Sequence, residues 1–389
     1  MDRSEQLTQT KRLIDYMANR TTAMADDVHV EDTAAYSSPQ RAQRERELIL
    51  RRPINFGLSC RLPNPGDWLT EDYSGTPILL VRDRDRSLRA FVNACRHRGA
   101  RVAEGAGEKA GGFSCPYHAW SYGLDGKLRT RPNEPAFAGT DRANCSLIAL
   151  PAVERYGMMW VSPTPGAEFD IDKELGGLAP ELASYGFENY MHFRTKVIEP
   201  KVNWKMVVDG FLETYHLPHL HKTTVGPLIL GDLGTFDAYD LNTRMITARR
   251  GFADMIKQPP EQWDLITHSA VIYVLFPNTV LVVQGDHLET WHVYPHPTDP
   301  GACTTYFSLY PPGPVETDKQ QRHWERNFDL AINTVEKEDL VVSAGMQRGF
   351  ESGHQKTITF GRNEPCLAHF HQSVGRALGL NSSMAAAAE

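Results

Sequence analysis

The stretch CRHRGARVAEGAGEKAGGFSCPYHAW, Cys95 to Trp120, holds a Cys-x-His pair and a Cys-x-x-His pair separated by seventeen residues. Two thiols and two imidazoles on two tight segments suit either a tetrahedral zinc ion or a [2Fe–2S] cluster with both imidazoles on one iron. Zinc ribbons and fingers usually pair like with like, as C-x2–4-C or H-x3–5-H. Here each segment gives one Cys and one His. A cluster needs that mixture if one iron takes both thiolates and the other both imidazoles.

Around this stretch, between about 53 and 165, the pattern is β. TPILLVRD and SLRAFVNA flank the turn RDR, YGLDGKL carries a Leu-Asp-Gly turn, and SLIALPA and YGMMWVS are further short apolar runs. From about 166 the character changes. Helical patterns near 203–215, 319–349 and 363–379 alternate with strand-like RTKVIEP, NTRMITARRG, SAVIYVLF, TVLVVQG, HLETWHVYP and CTTYFSLYP. Strands followed by a long helix, without βαβ alternation, indicate an α+β fold. The expected division is an N-terminal helical segment (1–40) packing on the last domain, a metal-binding β domain (41–165) and an α+β domain (166–389).

Length and composition agree. A chain of 389 residues exceeds what one core usually serves, and 41% hydrophobic with 10% aromatic residues is globular. Net charge is 41 − 48 = −7, and the densest basic patch, RAQRERELILRR (41–52), interleaves Glu and reads as an exposed helix face, which argues against nucleic-acid binding. Neither a signal peptide nor a membrane-length apolar run is found, and a cytoplasmic location is expected. Of the six cysteines, Cys60, Cys145, Cys303 and Cys366 are irregularly spaced, so they read as small buried hydrophobes in a reducing compartment. The tail NSSMAAAAE (381–389) reads as a frayed end. No G-x-G-x-x-G or G-x-x-x-x-G-K-[ST] follows a strand, so no nucleotide site of its own is expected.

A second constellation lies in NWKMVVDGFLETYHLPHLHKTT (203–224), with His216, His219 and His221 within six residues. Pro218 disfavours a straight helix through Leu217, so His216 would close a helix and His221 lie past the break, free to converge with it. Two His and one carboxylate form the facial set of non-haem Fe(II); His216 with His219 would equally be a fair zinc pair. The carboxylate is sought in FDLAINTVEKEDLVVSAGMQRGF (328–350). Phe328, Ile332, Val335, Val342 and Met346 read as one apolar helical stripe, with Asp339 in its gap and Glu336, Lys337 and Glu338 off the buried face. A carboxylate buried in such a stripe is costly unless paired or metal-bound.

The first motif resembles the Rieske motif, with Cys95, His97, Cys115 and His118 at its four ligand positions, Arg-Gly after His97 and Pro-Tyr inside the second pair. With NWK…E-x-Y-H-x4-H and the downstream E-D…Q-R-G…S, nearly the whole chain resembles the α (terminal oxygenase) subunits of Rieske non-haem iron oxygenases, in the branch lacking a β subunit. The resemblance implies an all-β Rieske domain followed by a helix-grip (START/Bet v1-like) catalytic domain with an antiparallel sheet. It implies a [2Fe–2S] cluster on Cys95, His97, Cys115 and His118, and mononuclear Fe(II) on His216, His221 and Asp339, with His219 a bystander. Ala100 and Tyr117 stand where respiratory Rieske proteins carry a disulfide, and Ala119 where those proteins have Gly-Ser. Fewer donors to the sulfurs imply a potential toward the low end of the Rieske range, about −150 mV. Gly210 departs from the Asn of many relatives.

The family hydroxylates with O₂ and electrons from NAD(P)H, so a separate reductase carrying flavin and a ferredoxin-type cluster is expected as partner. In the family an acid next to an iron-bound His links it to a cluster His of the neighbouring subunit. Glu213 matches that acid, Asp209 is the alternative, and His118 is the partner across a head-to-tail homotrimer. The expected substrate is a small aromatic, an aromatic acid first, with a quaternary ammonium compound of choline, betaine or carnitine type as the alternative. Pocket candidates are Val208, Leu212, Tyr273, Phe276 and Trp291. The competing classes are a Rieske electron carrier fused to a ligand-binding domain and a structural zinc protein.

Overall fold

The computed structural model describes residues 1–72 and 75–380; the alanine-rich tail lies outside them. The chain forms two compact units, Ile49–Ile171 and, separately, Met1–Leu48 with the chain from Asp172 onward.

The 49–171 unit is built from short antiparallel strands. A five-stranded sheet runs Ala149–Leu150, Leu88–Val92, Ile78–Arg82, Trp68–Glu71, Ala106–Gly107; a three-stranded one runs Ala152–Arg155, Met158–Val161, Ile54–Leu58; a third joins Phe113–Ser114, Ser121–Tyr122 and Leu128–Thr130. Leu79, Val81, Phe91, Trp120 and Tyr122 close a core that also takes in Cys95 and Cys115. The two cysteines are thus anchored in packed apolar surface, while the His of each pair lies further out on its loop.

The other unit centres on a seven-stranded antiparallel sheet. Its strands are β1 (Arg194–Ile198), β2 (Ile229–Tyr239), β3 (Asn242–Arg249), β4 (Ser269–Leu275), β5 (Thr279–Val283), β6 (Leu288–Pro295) and β7 (Cys303–Tyr310), in the order β1-β7-β6-β5-β4-β3-β2. Six of these are the strands expected from sequence. The eleven-residue β2, ILGDLGTFDAY, was not, because its Gly and Asp residues read as loop. Met245, Ile272, Val282, Trp291 and Phe307 share one face, packed with Val208, Leu212 and Phe276 and with Trp324, Phe328 and Ile332 of the long helix.

Arg244 and Tyr273 belong to the opposite face. Fully buried Arg244 pairs there with Glu5 of α1 (Arg3–Asn19), with Glu181 and with Asp237. The Tyr273 hydroxyl bonds to Glu181, and lies 2.6 Å from that of Tyr185. Tyr273 is therefore removed from the pocket candidates: its side chain points away from the face carrying Trp291. Both faces of β4 are covered, so alternation along SAVIYVL cannot say which side faces the site.

Helix α2 (Pro39–Leu50) is not the merely exposed face its charges suggest. Glu45 is fully buried, accepting from Lys205 Nζ at 2.6 Å, Trp204 Nε1 at 2.8 Å and Arg41 Nε at 2.8 Å. Burial pulls Lys205 below the ordinary lysine value, and Glu45 opposes that shift. The pair ties α2 to α3 (Trp204–Asp209), the helix that precedes the histidines. Cys303 and Cys366 are buried as expected, whereas Cys60 and Cys145 are only half-buried; all six thiols are free. No described helix is long and apolar enough to cross a membrane.

Candidate metal centres

The two Cys/His loops share one backbone design. The Cys95 amide donates to the Ala100 carbonyl at 2.7 Å and the Gly99 amide to the Cys95 carbonyl at 2.8 Å; the Cys115 and Ala119 amides repeat the pattern, to Trp120 at 2.8 Å and Cys115 at 3.0 Å. Both turns require a left-handed residue, Gly99 at φ 81° and Ala119 at φ 56°. Ala119 therefore occupies a conformation that disfavours a Cβ by roughly 1–2 kcal/mol. The turns bring His97 Nδ1 to 3.1 Å from His118 Nδ1. His97 stacks on Trp120 (centroids 5.1 Å apart, planes 9° apart), while His118 is exposed beside Tyr117. The Cys95 and Cys115 thiols are close enough to perturb one another; burial raises Cys95, and the Tyr122 hydroxyl at 3.2 Å opposes it.

The second centre starts from a helix that ends sooner than expected. α3 stops at Asp209, and Pro218 does not break a helix: it sits in the first turn of the short α4 (Leu217–Leu220), where a missing N–H costs nothing. His216 and His221 flank that turn, and their Nε2 atoms lie 3.1 Å apart. His219 is exposed and meets Tyr215 edge-on, outside the group.

The third member comes from the long helix, which is not continuous. α5 (Asp318–Thr334) and α6 (Leu340–Glu351) are joined by a π-helical turn, Val335–Asp339. The wider turn shifts the helix phase, so the expected stripe fails beyond it: Val342 and Met346 are 40% and 49% exposed, while Gln347 and Phe350 are buried. Asp339 Oδ1 lies 3.0 Å from His221 Nε2 and 3.6 Å from His216 Nε2. Glu338, read from sequence as off the buried face, instead contacts His221 Nδ1, and Thr224 Oγ1 donates to it at 2.8 Å. Glu213 contacts His216 Nδ1 and accepts the His216 amide at 3.0 Å. Asp209 is engaged elsewhere, by the Tyr36 hydroxyl at 2.8 Å and His371 Nε2 at 3.0 Å.

These contacts ask for a cation. With a carboxylate taking the Nδ1–H of each ring, both Nε2 atoms present bare lone pairs toward each other and toward Asp339. Burial disfavours charge on His221, yet Asp339 and Glu338 outweigh it and raise its proton affinity above the ordinary value. A metal ion satisfies the same demand for all three groups. Donors about 2.1 Å from an ion and at right angles are about 3.0 Å apart, close to two of the three separations. Among the described residues His216, His221 and Asp339 are the group of donors so placed.

Two converging Cys/His pairs on a β unit, followed by a unit that gathers two His and one Asp as cation donors, fit an iron-dependent oxidoreductase. Residues 54–152 match the model of the Rieske [2Fe-2S] domain and residues 187–380 that of the ring hydroxylating alpha subunit (catalytic domain). The chain belongs to the Rieske non-haem iron oxygenases, as a terminal oxygenase (α) subunit that needs no β subunit. It is 28% identical to chloroplastic choline monooxygenase of Spinacia oleracea, over 89% of this chain and 77% of the relative. It is 29% identical to the carnitine monooxygenase oxygenase subunit of Acinetobacter baumannii, over 88% and 92%. A solved quaternary ammonium Rieske monooxygenase, described for carnitine oxidation by gut microbiota and for inter-subunit electron transfer, superposes with a TM-score of 0.76 at 22% identity over 93% of this chain and 98% of that one. The family works with a [2Fe–2S] cluster and a mononuclear iron, and draws on NAD(P)H through a separate reductase.

Proposed function

We propose that the protein is the oxygenase component of a quaternary ammonium monooxygenase, acting on a small trimethylammonium substrate of choline, betaine or carnitine type. The observation that carries this reading is the charge around the three donors. Asp339 is one of them, Glu213 and Glu338 contact the other two, and Asp209 lies four residues before Glu213; among the described residues no Lys or Arg forms an ion pair with any of these four carboxylates. Such ground suits a cation without N–H groups, which is held by field and apolar contact rather than by hydrogen bonds. It offers nothing comparable to an aromatic acid, the substrate placed first from sequence, which carries no cationic group for these acids to attract. The curated relatives act on choline and carnitine, which favours the same reading.

In this reading Cys95, His97, Cys115 and His118 hold the cluster, and His216, His221 and Asp339 the iron, which supplies the position where O₂ is bound and activated. Glu213 and Glu338 keep the Nδ1–H of the two rings, which leaves both Nε2 lone pairs for the metal. Glu213 also carries electrons to His216 from the exposed His118 of a second copy, within a head-to-tail homotrimer. Val208, Leu212, Phe276 and Trp291 remain as wall candidates on the helix-facing side of the sheet.

The test is NADH-linked O₂ uptake with a surrogate reductase on a panel of quaternary amines and aromatic acids, after metal analysis of the purified protein. About three irons per chain and turnover confined to quaternary amines are expected. Turnover of aromatic acids alone would overturn the substrate reading.

A further inference from the structure

Glu338 and Asp339, neighbours in the chain, meet the two nitrogens of a single imidazole. Asp339 Oδ1 lies 3.0 Å from His221 Nε2, and Glu338 Oε2 touches His221 Nδ1. Successive residues of a regular α-helix project about 100° apart; here both fall on the wider π turn, which presents two consecutive carboxylates to one ring. Glu338 is itself fixed, because Thr224 Oγ1 donates to the same Oε2 at 2.8 Å, three residues after His221. Its one ion-pair partner among the described residues is His221, so it is no ordinary surface bridge. His221 is almost wholly buried, with only 2% of its side chain exposed.

We propose that Glu338 is a positioning residue for the mononuclear iron. It holds the Nδ1–H of His221, fixes the ring with Nε2 toward the metal, and strengthens that nitrogen as a donor. Thr224 sets the carboxylate in turn. The inference rests on the reading that His216, His221 and Asp339 bind the iron.

The test uses the full-length oxygenase with its cluster intact and its mononuclear site stripped. Fe(II) affinity is measured by equilibrium dialysis, and the site is probed by EPR of its Fe(II)–nitric oxide adduct. Glu338→Ala is expected to weaken Fe(II) binding by about 10–100-fold. Glu338→Gln, which keeps an acceptor for Nδ1–H, restores most of that loss. Thr224→Val, which removes the hydroxyl on Glu338 and keeps the Thr224 amide on the His221 carbonyl, weakens binding by a few fold. The EPR signal of the cluster stays unchanged throughout and serves as the folding control. Wild-type affinity and an unchanged nitric oxide signal in both Glu338→Ala and Thr224→Val would overturn the proposal; should Glu338→Ala lose its cluster signal, Thr224→Val alone decides. A wild-type protein that takes up no Fe(II) at this site would defeat the underlying ligand assignment instead.

Discussion

The hydroxyl of Tyr122 lies 3.2 Å from Cys95 Sγ and accepts the Arg96 amide at 3.0 Å. With its lone pair engaged by that amide, the phenol directs its own proton at the sulfur. Hydrogen bonds to cluster sulfurs stabilise the reduced, more negative state and raise the potential. Ala119 indicates a low-potential centre, and Tyr122 is a donor that lies outside the Cys/His motif and works in the opposite direction.

Tyr122→Phe should therefore lower the cluster potential. A hydrogen bond worth about 1–1.5 kcal/mol corresponds to about 40–65 mV for one electron. Redox titration of the cluster EPR signal checks this. An unchanged midpoint would mean that the phenol does not tune the cluster.

Glu213 contacts His216 through both its side-chain oxygens, one to the ring and one to the amide. Glu213→Gln keeps the size and an acceptor but removes the charge. Both metals should be retained, and turnover should fall by about 10–100-fold. The informative pair of measurements is reductase-linked turnover against chemical reduction of the cluster, which should be normal. Wild-type turnover would remove Glu213 from the electron path.

The long helix shows where sequence reasoning stopped. The Cys/His loops and the His216–His221 turn are local motifs, legible because each is set by a few adjacent residues. The apolar stripe that singles out Asp339 in the sequence presupposes one helical period as far as Met346. The structure brings Asp339 to the histidines, but the π turn breaks that period, so Val342 and Met346 face outward and Glu338 gains His221. A one-residue change of phase leaves no mark in composition. Tyr273 was misplaced for a different reason: a strand covered on both faces carries no in–out alternation to read. Asp209, the alternative acid, is drawn off by Tyr36 and His371, long-range partners that no local pattern discloses.

Beneath the long helix, His287 carries a pH-dependent share of stability. Burial opposes its charge, but Asp286, with Nδ1 at 2.7 Å, and Glu289, with Nε2 at 3.3 Å, outweigh burial and raise it to about 9. Asp286, which also contacts His323, is lowered to about 2. A raised histidine stabilises fully below its unfolded value, about 6.5, and the contribution is lost as pH climbs through about 9. Wild type should exceed His287→Gln by about 2–3 kcal/mol at pH 6, and the gap should close by about pH 10. Denaturant unfolding of the metal-loaded protein at the two pH values checks the sign. A gap that widens with pH would refute it.

The π turn itself can be removed. Lys337 is the exposed residue of Val335–Asp339, and deleting it leaves a segment able to continue as regular α-helix from α5 into α6. Five residues in a π turn rotate the chain about as far as four in an α-helix, so α5 and α6 keep their packed phases and the change falls on the turn itself, where Glu338 and Asp339 can no longer both meet the His221 ring. Phe328 and Ile332 before the turn and Phe350 after it hold both helices in the core with far more buried area than a carboxylate commands, so the carboxylates of the turn should be the groups that move. The variant is expected to fold, to keep its cluster and to lose mononuclear iron, read as about two rather than three irons per chain. Retention of the third iron would show that the carboxylate reaches the histidines without help from the widened turn.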